Sequence, residues 1–182
     1  MGLSFHYSGS IKSRALIATL EEEVADVCRI MNWKFHLFDD ELVKGICFSP
    51  PECEPVFFSF NPANILCSPV LLELEIYPAT TISVKSQFAG IEVHKALLKF
   101  IKYLQPKYFE LFQLDDEGGY WENFDEEMLK HQFKRYNAAL DFIEKQLRGF
   151  AAVENETHES LTDRLEEYLK GKLKDFREDE NL

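Results

Sequence analysis

Two short segments carry side chains whose types and spacing suit chemistry. The first, Leu114-Asp115-Asp116-Glu117-Gly118-Gly119-Tyr120-Trp121-Glu122, gathers acids around a Gly-Gly pair. Gly-Gly between two strand-like stretches predicts a two-residue hairpin loop, since both turn positions can take positive φ. In that register Asp115 faces Glu122, Asp116 faces Trp121 and Glu117 faces Tyr120. Opposed carboxylates repel across a strand pair. The pattern therefore asks for an intramolecular base, a basic partner, a divalent cation or a raised carboxyl pKa. Asp115, Asp116, Glu117 and Glu122 are candidate metal ligands, and Asp116, Glu117, Tyr120 and Trp121 form a candidate partner-binding surface. A longer loop would leave the same acids solvated.

The second segment, Lys85-Ser86-Gln87-Phe88-Ala89-Gly90-Ile91-Glu92-Val93-His94, reads as a strand end entering a helix. His94 precedes Leu97 and Leu98 by three and four residues, which turns it toward the face that meets the sheet. A helix N-terminus disfavours imidazolium, and a neutral imidazole beside a carboxylate can act as a base or a metal ligand. His94, Lys85 and Gln87 are the candidate catalytic set, and His94 joins the four acids as a candidate ligand. The element after this helix leads straight to the acidic loop, so His94, Asp116 and Glu117 are expected to line one pocket. The plainer alternative is a core histidine satisfied by one hydrogen bond, with Lys85 and Gln87 on a solvated strand face.

Other chemistry lacks a signature. There is no H-E-x-x-H, G-x-S-x-G, P-loop or G-x-G-x-x-G. His6 and His131 lack ligand spacing, and His36 falls opposite the apolar phase of its strand. Cys28, Cys47, Cys53 and Cys67 form no C-x-x-C pair and read as free thiols, Cys28 and Cys47 as small core residues. A zinc site on Cys47 and Cys53 is a remote option.

The elements that must position these residues follow from hydrophobic spacing. Leu3, Phe5 and Tyr7 alternate with polar residues and predict a strand. Leu16, Ile17, Leu20, Val24, Val27, Cys28 and Met31 recur at helical spacing up to Asn32. A strand carrying Trp33, Phe35 and Leu37 stops at Asp39-Asp40-Glu41, and another follows near Val43 to Ser49. Val56 to Phe60 and the run from Ile65, around Asn61-Pro62-Ala63-Asn64, look like a hairpin. Pro69 and Pro78 bracket a predicted strand with Leu72, Leu74 and Ile76 on one face, and Thr81 to Gln87 alternates again. Gly90 opens a long helix predicted to stop before Pro106, and Phe109 to Leu114 returns to strand. Asn123 and Glu126 stand at capping-box spacing. Leu129, Phe133, Tyr136, Leu140, Ile143, Leu147 and Phe150 then mark a heptad seam, better suited to packing on this chain's own core than to a homodimeric coil. A last helix is predicted over Ser160 to Phe176, fraying into Arg177 to Leu182.

The order β-α-β-β-β-β-α-β-β-α-α contains no repeating βαβ unit and predicts an α+β fold: a predominantly antiparallel sheet with helices packed on one face. Residues 1–127 would form the sheet domain and 128–182 a C-terminal helical hairpin, together a single domain. The early element order resembles that of TATA-box-binding-protein-like and helix-grip domains, a likeness of order alone that carries no function.

Length and charge bound the function. The 182 residues are 46% hydrophobic and 14% aromatic, with sixteen Phe, which is ample for a bulky core. The net charge of −12 comes from 115–127, which holds seven acids and no base, and from 151–182, which holds ten acids against five bases. No basic stripe exists for nucleic acid, and attraction to anionic lipid is disfavoured for the same reason. No stretch is long and apolar enough to span a membrane, and Met1 to Ser10 resembles neither a signal peptide nor a myristoylation site. A cytoplasmic protein is expected. The leading expectation is a non-catalytic protein-interaction module, its acidic charge suiting an unidentified basic protein partner, with a second copy as the other option, and without a required cofactor. The alternatives are a small metal-assisted hydrolase or lyase with a His/carboxylate site and a divalent cation, and a helix-grip-like pocket for an apolar ligand.

Overall fold

A computed structural model describes residues 3–75, 80–150 and 157–179. It is an α+β structure with antiparallel strands. Among the described residues, six strands form two three-stranded sheets instead of one. The chain divides into two compact units, Met1–Phe133 and Lys134–Leu182.

In the first unit, β1 (Ser4–Ile11) lies between β5 (Ile82–Lys85) and β6 (Phe109–Asp116). Phe5 opposes both Val84 and Asp116, and Tyr7 opposes Ile82 and Leu114, so the alternation read at the N-terminus sets an apolar face. The second sheet is a meander of β2 (Lys34–Asp39), β3 (Lys44–Ser49) and β4 (Val56–Phe60). Helix α1 (Ile17–Met31) packs on this sheet through Leu20, Val24, Ala25 and Cys28, and ends at Asn32 in the left-handed region.

Two devices join the sheets. The Tyr7 hydroxyl donates to the Phe57 carbonyl at 2.8 Å and accepts from the Phe57 N–H at 2.9 Å, so one side chain occupies the place of a paired strand residue. Burial pushes its phenol pKa far up. The segment 61–68 then bridges both sheets: Leu66 N–H bonds Gly9 O, and Cys67 N–H bonds Ser59 O. Beneath them runs a chain of aromatic contacts from Trp33 through Phe48, Phe58, Phe109 and Phe112 to Trp121, with ring centroids 4.8–6.2 Å apart. The phenylalanine excess is thus spent on one core that both sheets share.

Several elements differ from the sequence reading. The predicted strand at Leu72 is helix α2 (Pro69–Glu73), because Ser68 Oγ accepts from Leu71 N–H and Pro69 fits the first helical turn. The rest of that predicted strand, from Ile76, lies outside the described residues. Helix α3 (Ile91–Tyr108) runs through Pro106. Its last turn is held by Lys107 and Tyr108, both bonded to Glu23 of α1. The Gly118-Gly119 pair does not close a hairpin: β6 ends at Asp116, and the chain turns into the short helix α4 (Tyr120–Asn123). Asp125, not Asn123, caps helix α5 (Glu126–Arg148), accepting from Glu127 and Met128 N–H.

In the second unit, the end of α5 is followed by α6 (His158–Asp179). Phe150 packs on Tyr168 at 5.3 Å, with the Arg164 guanidinium 4.3 Å over the Phe150 ring. The predicted fraying from Arg177 is not seen as far as Asp179, and Glu180 to Leu182 lie outside the described residues. No helix among the described residues is long and apolar enough to cross a membrane.

Candidate functional site

The end of β5, the start of α3 and the end of β6 converge on three polar side chains inside the first unit. Ser86 follows β5, His94 lies on the first turn of α3, and Asp116 closes β6. Gly90, with φ of 85°, makes the bend that lets α3 start directly over the sheet. Ser86 Oγ lies 2.7 Å from His94 Nδ1, and His94 Nε2 lies 3.2 Å from Asp116 Oδ1. The second approach is out of line for a hydrogen bond. Ser86 and His94 are fully buried, and the Asp116 carboxylate is enclosed with them.

Asp116 does more than face the imidazole. Its Oδ1 accepts from Gly118 N–H at 2.9 Å, and its Oδ2 accepts from Tyr120 and Trp121 N–H at 2.7 and 3.2 Å. The carboxylate thereby fills the donors at the start of α4 and fixes the turn that follows β6. Burial alone would raise its pKa; His94 and the N–H groups of Gly118 and Tyr120 outweigh that and hold it below the ordinary aspartate value. Ser86 Oγ and His94 Nδ1 share one hydrogen bond, in which the hydroxyl can donate or accept according to the imidazole tautomer.

Aromatic and small groups close the space around the ring. Phe5 and Phe133 meet it edge-on at 6.0 and 5.7 Å. Gly118 lies directly against it: a Cβ there would stand 3.2 Å from His94 Nε2 and 2.6 Å from Leu129 Cδ1. The trio combines a hydroxyl, an imidazole and a carboxylate, the groups of nucleophilic acyl transfer. In this arrangement, however, the serine meets Nδ1, the acid faces Nε2, and no member is presented to a substrate.

The remaining residues singled out in the sequence disperse. Glu117 is exposed; its Oε2 accepts from Ser4 N–H at 2.8 Å and its Oε1 lies 3.7 Å from His6 Nε2. Asp115 is exposed opposite His6, and Glu122 is exposed on α4, so the expected repulsion between Asp115 and Glu122 across a hairpin does not arise. Gln87 is buried and accepts from Leu3 N–H, whereas Lys85 lies half-buried with its ammonium 5.6 Å over the Phe88 ring. Tyr120 and Trp121 are buried, with Lys102 Nζ 4.1 Å over the Trp121 ring. Of the partner surface read from the sequence, only Glu117 is exposed, because the chain turns inward at Asp116. Among the described residues no three His, Cys, Asp or Glu side chains converge as a metal site, and His94 with Asp116 supplies two ligands at most.

One polar cluster carries no sequence signal, because its members come from distant helices. Glu23 of α1 accepts from Tyr103 at 2.7 Å, from Lys107 at 2.6 and 2.7 Å, and from Tyr108. Burial, then the Glu23 carboxylate, raises the Tyr108 phenol to about 12. These groups satisfy one another beside a shallow groove of about 410 Å³ whose lining includes Glu22, Asp26, Val27 and Ile30. Ser86 carries no sequence signal for a different reason: one serine after a strand is unremarkable until the fold brings His94 to it. Comparisons with protein families, with curated proteins and with solved structures find no match.

Proposed function

We propose that the protein is a non-catalytic protein-interaction module that accepts an extended segment along the outer edge of β2. The observation that carries this reading is the state of that edge. Asp40 N–H bonds Val43 O where the β2–β3 turn closes. Successive residues of a strand direct their backbone groups to opposite sides. Phe38, His36 and Lys34 therefore bond toward β3, and the N–H and C=O groups of Phe35, Leu37 and Asp39 point away from the sheet.

The side chains there are apolar and partly exposed, with the Arg29 guanidinium 5.5 Å over the Phe35 ring. Phe35 and Leu37 lie in the apolar phase of the strand, yet are 37% and 49% exposed. Proteins usually guard such an edge with proline, a bulge, an inward charge or a covering segment. β2 has no proline, its two charged residues, Lys34 and Asp39, stand at its ends, and its register with β3 is unbroken. Strand addition gives affinity through main-chain bonds and specificity through alternate side chains. The burial of Ser86, His94 and Asp116 supports a structural role for that trio, and the groove at Glu23 is rimmed by charge, unlike an apolar-ligand pocket.

The test is selection from a displayed library of short extended peptides, repeated on Leu37→Pro and His36→Pro. Leu37→Pro removes an outward N–H and is expected to abolish binding while leaving the melting temperature nearly unchanged. His36→Pro removes a bond to β3 and should lower the melting temperature. Peptides retained equally by Leu37→Pro would refute the assignment of the edge.

A further inference from the structure

We infer that the strand accepted by β2 is β2 of a second copy of this chain, an inference that rests on the interaction reading above. The sequence Lys34-Phe35-His36-Leu37-Phe38-Asp39-Asp40 is complementary to itself when reversed about Leu37. A two-fold axis normal to the sheet keeps each side chain on its own face, so only residues of the same phase can oppose one another. With the axis at Leu37, that residue opposes the second copy's Leu37, and Phe35 opposes the second copy's Asp39 on either side. These are the three outward-directed pairs, and together they form about six main-chain hydrogen bonds. Moving the axis to His36 keeps only two such pairs, about four bonds.

Charge selects the same register. On the opposite face, His36 meets the second copy's Phe38, and Lys34 meets the second copy's Asp40. Lys34 is exposed and forms no ion pair among the described residues. Asp40 spends Oδ1 on Leu42 and Val43 N–H, which leaves its other oxygen for a cation. The two unpaired charges therefore stand three residues on either side of Leu37, each opposite its counterpart. The alternative register would set Lys34 against Phe38 and His36 against His36. The product is a six-stranded sheet in the order β4-β3-β2-β2-β3-β4, whose interior covers Phe35 and Leu37 and whose open β2 edges are gone.

The full chain is examined by sedimentation velocity over a micromolar concentration series, with Leu37→Pro and Lys34→Glu beside it. The wild type is expected to be a dimer. Leu37→Pro should be a monomer with unchanged far-ultraviolet circular dichroism, and Lys34→Glu, which opposes two acids at each end, should weaken the dimer about tenfold. Register is read by cysteine oxidation. Leu37→Cys places two thiols across a closely bonded pair, about 5.5 Å between Cα atoms, and is expected to form a disulfide-linked dimer. His36→Cys should not. Cross-linking at position 36 instead of 37 would overturn the register, and a wild-type monomer throughout the series would overturn the inference. A monomer that still binds library peptides at β2 keeps the interaction reading, whereas a monomer that binds none loses both.

Discussion

Replacing Asp116 with alanine is expected to be the most damaging single change in the first unit. The substitution strips acceptors from three enclosed N–H groups, those of Gly118, Tyr120 and Trp121, and removes the charge that faces His94 Nε2. A hydrogen bond to a charged group contributes about 1.5–3 kcal/mol, and a buried donor left without a partner costs about 1–3 kcal/mol. The losses share one turn and do not add fully, which sets the expected cost at about 3–5 kcal/mol. For a unit of this size that lowers the melting temperature by roughly 10–20 °C. Both tryptophans, Trp33 and Trp121, belong to Met1–Phe133, so urea unfolding followed by tryptophan fluorescence reports this unit. Asp116→Asn keeps the shape but removes the charge and supplies an amide donor where donors already converge. Because the folded pKa of Asp116 lies below its unfolded value, its stabilisation is complete above about pH 4 and is lost as pH falls through the lowered folded value. The gap between wild type and Asp116→Asn should narrow in that acid window. A loss below about 1 kcal/mol in Asp116→Ala, or a gap unchanged into strong acid, would refute the keystone role.

Three further predictions follow from neighbouring features. Gly118→Ala forces a methyl against Leu129 Cδ1 and His94 Nε2 and should cost about 1–3 kcal/mol in the same urea assay. Tyr7→Phe orphans the N–H and C=O of Phe57 between the two sheets and should cost about 1–3 kcal/mol, with amide exchange accelerating first at Phe57. Burial raises the Cys28 and Cys67 thiols to about 11 and Cys53 to about 12, so alkylation at pH 8 should run at least roughly a hundredfold slower than for a free thiol until denaturant exposes all four cysteines.

Much of this architecture was legible where one face of an element is buried. The spacing of Leu20, Val24 and Cys28 marks α1, that of Leu97, Leu98, Ile101 and Leu104 marks α3, and the alternation of Phe5 and Tyr7 marks β1, because the core reads those side chains directly. Reading failed where a local bond outvotes the pattern. Ser68 and Pro69 start a helix across an alternating stretch, and the Asp116 carboxylate gathers N–H groups that a Gly-Gly hairpin would have paired across strands. The contact of His94 with Asp116 was within reach of the sequence, since the helix and the strand after it lie in direct succession. Ser86 and the Glu23 cluster were not, because their partners are fixed only by tertiary folding. Phe35 and Leu37 show a different limit: alternation gives the face of a strand, not whether that strand ends a sheet.

The placement of β1 also fixes an order of assembly. The β2–β3–β4 meander pairs neighbours in sequence and can close early, whereas Phe5 must wait for Val84 and then for Asp116. Pairings that span so much chain form slowly. During synthesis on the ribosome, Leu3, Phe5 and Tyr7 emerge before β5 and β6 and remain unsheltered until both have been made. The nascent chain therefore carries an adhesive apolar strand while the partners of that strand are still being made, and a general chaperone that holds such strands would act there, before Asp116 closes its turn.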